Sequence, residues 1–132
     1  MNRPFKPLWC VLTMLIAFPM VAPNDAVAAS QTQGMASWYS VESCKREGTS
    51  GITASGEPLV DELMTAAKWD VPFDSLWRVT NLANGREIVV RVNDRGPSRR
   101  LKGRVIDLSR GAYRRLAGLE TGLTRVRIER VK

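Results

Sequence analysis

"LWRVTNLANGREIVVRVND", residues Leu76 to Asp94, reads as two strands folded about one turn. The dipeptide Asn84-Gly85 tolerates the positive φ values that tight hairpin turns demand. In the second strand Ile88, Val90 and Val92 would share one face, with Val89 and Arg91 on the other. Outward from this hairpin the chain keeps the same grain, short apolar runs cut by turns. "GMASWYS" (34–40) is strand-like, "ELMTAAK" (62–68) suits a strand or a short helix, and "LTRVRIERV" closes the chain with alternating Val126 and Ile128. The Gly-, Ser- and Thr-rich stretch 44–58 reads as a long loop. The period changes once. After a brief strand at Val105–Leu108, Ser109 is placed to cap a helix whose stripe is Ala112, Tyr113 and Leu116 and whose end is marked by Gly118. Many short strands and one small helix predict a mainly β fold, a small barrel.

The N-terminus has a different character. Arg3 and Lys6 precede the apolar run "LWCVLTMLIAFPMVA", and "AVAA" offers small residues for cleavage after Ala28 or Ala29. That is the layout of a secretory signal peptide over residues 1–29. An uncleaved membrane anchor fits less well, because Pro19 and Pro23 break the run. Cys10 lies early in the run, where a lipid-modified cysteine would not be. The expected product starts near Ser30, with a short polar tail to residue 33 and one domain over 34–132. It is exported to the periplasm or cell envelope, carries no lipid and acts as a monomer.

Removing Arg3 and Lys6 from 20 basic residues, and Asp25 from 13 acidic ones, leaves 18 against 12 and a net charge of +6. A basic exported domain suits a polyanionic surface such as cell-wall polymer. Nucleic acid suits the charge but not the destination, and is not expected as a partner. Of the two cysteines only Cys44 would remain, so packing rather than a disulfide must supply stability. The chain contains no histidine, which rules out His-based triads, His-ligated zinc and a His general acid. No metal or other cofactor is expected.

The candidate chemistry sits at the end of the hairpin. In "VNDRGPSRR" (92–100), Asp94 ends an apolar strand among arginines and is followed by a Gly-Pro turn. The residues leave two readings open: an acid that transfers protons, or half of an ion pair pinning the turn. Arg91 would lie on the Asn93 side and Arg95 beyond the strand end, so neither needs to touch Asp94. Asp107 reads as a brace for the first turn of the following helix.

Taken in order, "ASWYS", "TASGE", "TAAKWDVPF", "RVTNLANGREIVVRVNDRGP", "GRVIDLS" and "RVRIE" resemble the rare lipoprotein A (RlpA) family from Gly34 to Val131. The resemblance implies a six-stranded double-psi β-barrel of the barwin and expansin kind. It also implies lytic transglycosylase action on peptidoglycan glycan strands, with Asp94 as the catalytic aspartate and Glu57 as the family's glutamate. Where the family has a histidine after "TAA", this chain has Lys68. Neither the family's lipid-attachment cysteine after the leader nor its C-terminal peptidoglycan-binding domain is expected in this protein. The stretch "ESCKREGTSGI" replaces a shorter loop. These departures describe a barrel-only relative.

Such a reaction can run on one carboxyl group. The muramyl C6 hydroxyl attacks its own C1, so the nucleophile is tethered and the acid that protonates the leaving oxygen can later take the C6 proton. Glu57, if near Asp94, would favour its protonated form by like-charge repulsion. Lys68 could hold a carboxylate or a sugar oxygen, or could lie along Trp69. Trp38 and Tyr39 offer flat faces to sugar rings, and Asn93, Arg95, Ser55 and Thr53 offer hydrogen bonds. The alternative from another class is a glycan-binding module that kept the groove without the chemistry. A secreted inhibitor is the third.

Overall fold

The computed structural model describes residues 31–132; the signal peptide expected over 1–29 lies outside them. The elements in chain order are β1 (Thr32–Tyr39), α1 (Val41–Arg46), β2 (Thr65–Ala67), β3 (Leu76–Asn81), β4 (Glu87–Asp94), β5 (Arg104–Ser109), α2 (Arg110–Leu116) and β6 (Leu123–Arg130). A 3-10 turn at Leu119–Thr121 precedes β6. The six strands close into a barrel in the order β1-β5-β2-β4-β3-β6. Closure leaves no strand edge open to another chain. Two pairings are parallel, β1 with β5 and β2 with β4, and the others are antiparallel.

Alternation along the strands decides what lies inside. Val79, Val90, Val92, Ile106, Leu108, Val126 and Ile128 are all fully buried, whereas Val89 is exposed. Each such side chain contributes roughly 1.5–3 kcal/mol on leaving water. A surface ion pair contributes about 0–1 kcal/mol, so the barrel interior, not its charged exterior, holds the fold. The helix α2 plugs one end: Ala112, Tyr113 and Leu116 are completely buried, and the Tyr113 hydroxyl lies 2.8 Å from Thr121 Oγ1. The hairpin turns as expected, with Gly85 at φ +75°. Asn81 Oδ1 accepts from the Ala83 N–H at 2.9 Å and stiffens the turn.

Three local expectations are corrected and one open reading is settled. Thr32 and Gln33 are not a tail: they pair with Ile128 and Arg127. Cys44–Arg46 belong to α1, whose start is fixed by a capping box between Ser40 and Ser43; polar composition concealed a helix that buries no side chain. Within "ELMTAAK" only Thr65–Ala67 form a strand, β2, flanked by β4 and β5. Helix α2 ends at Leu116, two residues before Gly118, with extended Ala117 as its C-cap, and Gly118 instead opens the 3-10 turn. Ser109 caps α2 as expected, accepting from the Ala112 N–H at 3.3 Å.

Candidate active site

The C-terminal end of β4 carries a bulge. Ala66 pairs with Val92, yet Ala67 pairs with Asp94, so Asn93 is an extra residue on its strand. The bulge buries Asn93 and re-aims Asp94, as bulges at barrel rims do. Asp94 therefore leaves the Val90–Val92 face and lines a cleft of about 400 Å³ at the barrel mouth, within the usual range for a ligand site.

Asp94 has no cationic partner among the described residues. Its Oδ1 accepts from the backbone N–H groups of Ala54 at 2.9 Å and Arg95 at 2.8 Å. Its Oδ2 accepts from the Tyr39 hydroxyl at 3.1 Å. Burial, reinforced by the Asp94 charge and hydrogen bond, pushes the Tyr39 phenol well above its ordinary range, so Tyr39 stays a protonated donor. The Arg95 side chain turns away from Asp94. Its guanidinium lies over the Phe73 ring, 3.8 Å from the centroid, and donates to the Lys68 carbonyl at 3.0 Å. Of the two readings of Asp94, the ion pair is absent.

Glu57 occupies the opposite situation. Arg91 grips it with two nitrogens at 2.7 and 2.9 Å and also bonds Asp74 at 2.8 Å. The Arg91 hydrogen bonds, opposed in part by desolvation and helped by Asn93, hold the Glu57 carboxyl below the usual glutamate range. Glu57 does not line the cleft. It acts on it through the backbone: its carbonyl accepts from the Thr53 N–H at 2.7 Å, shaping the loop that presents the Ala54 N–H to Asp94.

Asp107 departs from its expected place. It does not brace α2; Ser109 does that. Ala67 of β2 lies between Asp94 on β4 and Asp107 on β5, two strand spacings apart, or roughly 9–10 Å between backbones. Both carboxyl groups line the cleft. Asp107 Oδ1 is held by Arg104 at 2.8 Å and by the Ser37 hydroxyl. The floor between the two acids must stay low. A Cβ on Gly96 would lie 3.3 Å from both Ala67 Cβ and Asp107 Oδ2.

Of the other candidates, Trp38, Tyr39, Arg95 and Thr53 line the cleft. Ser55 does not: its hydroxyl lies 2.9 Å from Thr53 Oγ1 and its N–H donates to the Asn93 carbonyl at 3.1 Å, bracing the loop. Of the readings of Lys68, packing along Trp69 is not found; its Nζ lies 5.0 Å from the Trp77 ring centroid. Lys68 faces a second cavity, and its only tie to Asp94 is a backbone hydrogen bond of 3.1 Å. Burial, opposed by Asp70, lowers the Lys68 ammonium below its ordinary range.

A closed double-psi barrel with an unpaired aspartate at its mouth defines a class, and comparison with known proteins agrees with it. Residues 31–128 match the family described as lytic transglycolase, and the chain belongs to that RlpA-like family. The probable endolytic peptidoglycan transglycosylase RlpA of a Nostoc species is 51% identical over 98 residues, 74% of this chain and 25% of that protein. The Pseudomonas aeruginosa endolytic peptidoglycan transglycosylase RlpA is 46% identical over 112 residues, 85% of this chain and 30% of that one. The chain thus spans only a quarter to a third of these relatives. Among solved structures, the Streptomyces papain inhibitor is similar with a TM-score of 0.59 at 25% identity, covering 77% of this chain and 94% of its own. A Clavibacter michiganensis expansin in complex with cellohexaose has a TM-score of 0.57 at 22% identity, covering 77% of this chain and 50% of its own. The last likeness concerns the fold alone.

Proposed function

We propose that this protein is an endolytic lytic transglycosylase of peptidoglycan, cutting between N-acetylmuramic acid and N-acetylglucosamine and leaving 1,6-anhydro-muramyl ends. The observation that carries the reading is Asp94: an aspartate lining an open cleft and held, among the described residues, only by neutral donors. Placing a proton on it breaks no ion pair. In the proposed reaction the protonated Asp94 gives its proton to the glycosidic oxygen as the C1–O bond breaks. The muramyl C6 oxygen bonds to C1, and the C6 hydroxyl proton passes to Asp94. The acid is restored and no water is consumed. Tyr39 and the two backbone N–H groups fix the carboxyl plane, which is the orientation such a step needs. Asp107, across Ala67, is free to accept from a sugar hydroxyl with its second oxygen. The protein acts as a monomer in the cell envelope after export, without a lipid anchor.

A second reading, a glycan-binding module without chemistry, draws on Glu57 and Lys68: the first is committed to Arg91 and the second is turned from the cleft. Digestion of purified sacculi separates the two. Anhydro-ended products released by the wild type and lost in Asp94→Asn support the enzyme. Retention on sacculi with no soluble product, by protein of native circular dichroism, overturns it in favour of the module.

A further inference from the structure

A second cavity of about 360 Å³ shares the Arg104 wall with the cleft and is lined also by Lys68, Trp69, Asp70, Trp77 and Pro97. Its charges are paired except for one. Arg104 is spent on Asp107, and Asp70 is bound by Arg99 at 3.0 Å. Lys68 remains. Among the described residues its half-buried ammonium has no carboxylate partner and donates no side-chain hydrogen bond; only the face of Trp77 lies beside it. Desolvating a cation without a direct counter-ion is costly, and burial lowers the proton affinity of Lys68, opposed only in part by the Asp70 carboxylate, which is itself committed to Arg99. An ammonium has three N–H donors to satisfy, and the indole face satisfies none of them by a conventional hydrogen bond. The Arg104 Nε is also buried without a partner. Trp69 spends its Nε1 on the Pro97 carbonyl at 2.6 Å, so it presents the cavity with apolar surface only.

A neutral sugar would fill this space and leave the charge unanswered. A carboxylate would answer it. We propose that the second cavity is a carboxylate-binding subsite, in which Lys68 holds the acid group on a side arm of the bound glycan while Asp94 engages the bond to be cut. The inference rests on the transglycosylase reading for the identity of the strand, but not for the binding. Two sources share the chemistry: the lactyl carboxylate of a muramyl residue stripped of its peptide, or a carboxylate of the stem peptide itself. Lys68 would thereby read the state of the muramyl side arm.

Binding is best measured calorimetrically in the Asp94→Asn protein, so that no strand is cut. The probes are stripped glycan strands with free lactyl carboxylates, the same strands with those groups converted to methyl amides, and strands bearing stem peptides. The expected result is about tenfold tighter binding of a carboxylate strand than of the amide strand, the size of one charge-assisted hydrogen bond. That ratio should fall toward one in Asp94→Asn/Lys68→Met and be retained in Asp94→Asn/Lys68→Arg. A gain on stripped strands assigns the lactyl source, and a gain confined to peptide-bearing strands assigns the stem peptide. Equal binding of all three probes, or a ratio indifferent to Lys68→Met, overturns the subsite even if the wild type cuts sacculi. A Lys68-dependent ratio in a protein that cuts nothing keeps the subsite and removes the transglycosylase reading. Failure to bind any probe overturns both.

Discussion

Two carboxylates joined through the backbone of one loop live under opposite rules. Asp94 is held by a phenol and two backbone N–H groups. Glu57 is held by the guanidinium of Arg91, which Asp74 shares. A proton arriving at Glu57 must break a bidentate ion pair, whereas one arriving at Asp94 displaces no counter-charge. The first arrangement suits a group that exchanges protons during a reaction; the second suits a fixed anion that organises a loop. The two are coupled, because the Glu57 loop supplies one of the N–H groups on Asp94. Glu57 is therefore tied by its backbone to the loop that holds the aspartate.

The largest effect that could break this contrast is at Asp94 itself. Asp94→Asn is expected to keep the fold and lower the release of anhydro-ended products by about 10²–10⁴-fold, the usual contribution of a general acid. Product release at the wild-type rate from folded variant would remove Asp94 from the chemistry. Tyr39→Phe comes next. It deletes one neutral hydrogen bond to Oδ2, with an expected loss of about five- to tenfold in kcat. The loss should fall on kcat with KM nearly unchanged, whereas mere loosening of β1, which also carries Trp38 of the cleft wall, would move KM as well. Arg91→Met follows: it should weaken cleavage less than Asp94→Asn does, by no more than about tenfold, because it acts only by loosening the loop that carries Ala54. If Arg91→Met equals Asp94→Asn in severity with the barrel intact, the ion pair belongs to the reaction and the division between the two carboxylates fails.

The same contrast marks how far the sequence could be read. Strand identities follow from alternation, and the buried faces of β4 and β6 are the expected ones. The unpaired state of Asp94 is not legible, because it depends on a single extra residue, Asn93, that shifts the strand's facing at its end. The place of Asp107 is not legible either, because its neighbours Ser37, Ala67 and Arg104 converge through the β1–β5 and β2–β5 registers, which local patterning does not encode. A usable signal was present: an ionisable residue inside the apolar run "RVIDLS", two positions before a capping serine that makes it redundant as a brace. Helix α1 likewise has a sequence mark, serines three apart at Ser40 and Ser43, that polar composition obscured. For Lys68 no such mark exists. Which way a long side chain leaves a strand end is set by the cavity it finds, here the one over Trp77.

The smallest expected effect isolates Glu57 through pH. Its carboxyl is held below the ordinary glutamate range in the folded protein, chiefly by Arg91, whereas in the unfolded chain it titrates near ~4.3. A depressed folded value means that the unfolded state takes up the proton first on acidification. The stability contributed by the pair is therefore fully present above the unfolded value and is lost as pH falls through the folded one. Thermal melts from neutral pH down to about pH 3 should show the wild type losing Tm more steeply below the glutamate range than Glu57→Gln, with the two curves converging at the acid end. The difference will be modest, because the pair is partly exposed and solvent screens it. Salt sharpens the test: raising ionic strength should shrink the gap at neutral pH and leave the acid end unchanged. Parallel curves at all pH values would mean that Arg91 gives Glu57 no charge-dependent hold, and the loop under Asp94 would then owe its shape to the Thr53 and Ser55 hydrogen bonds alone.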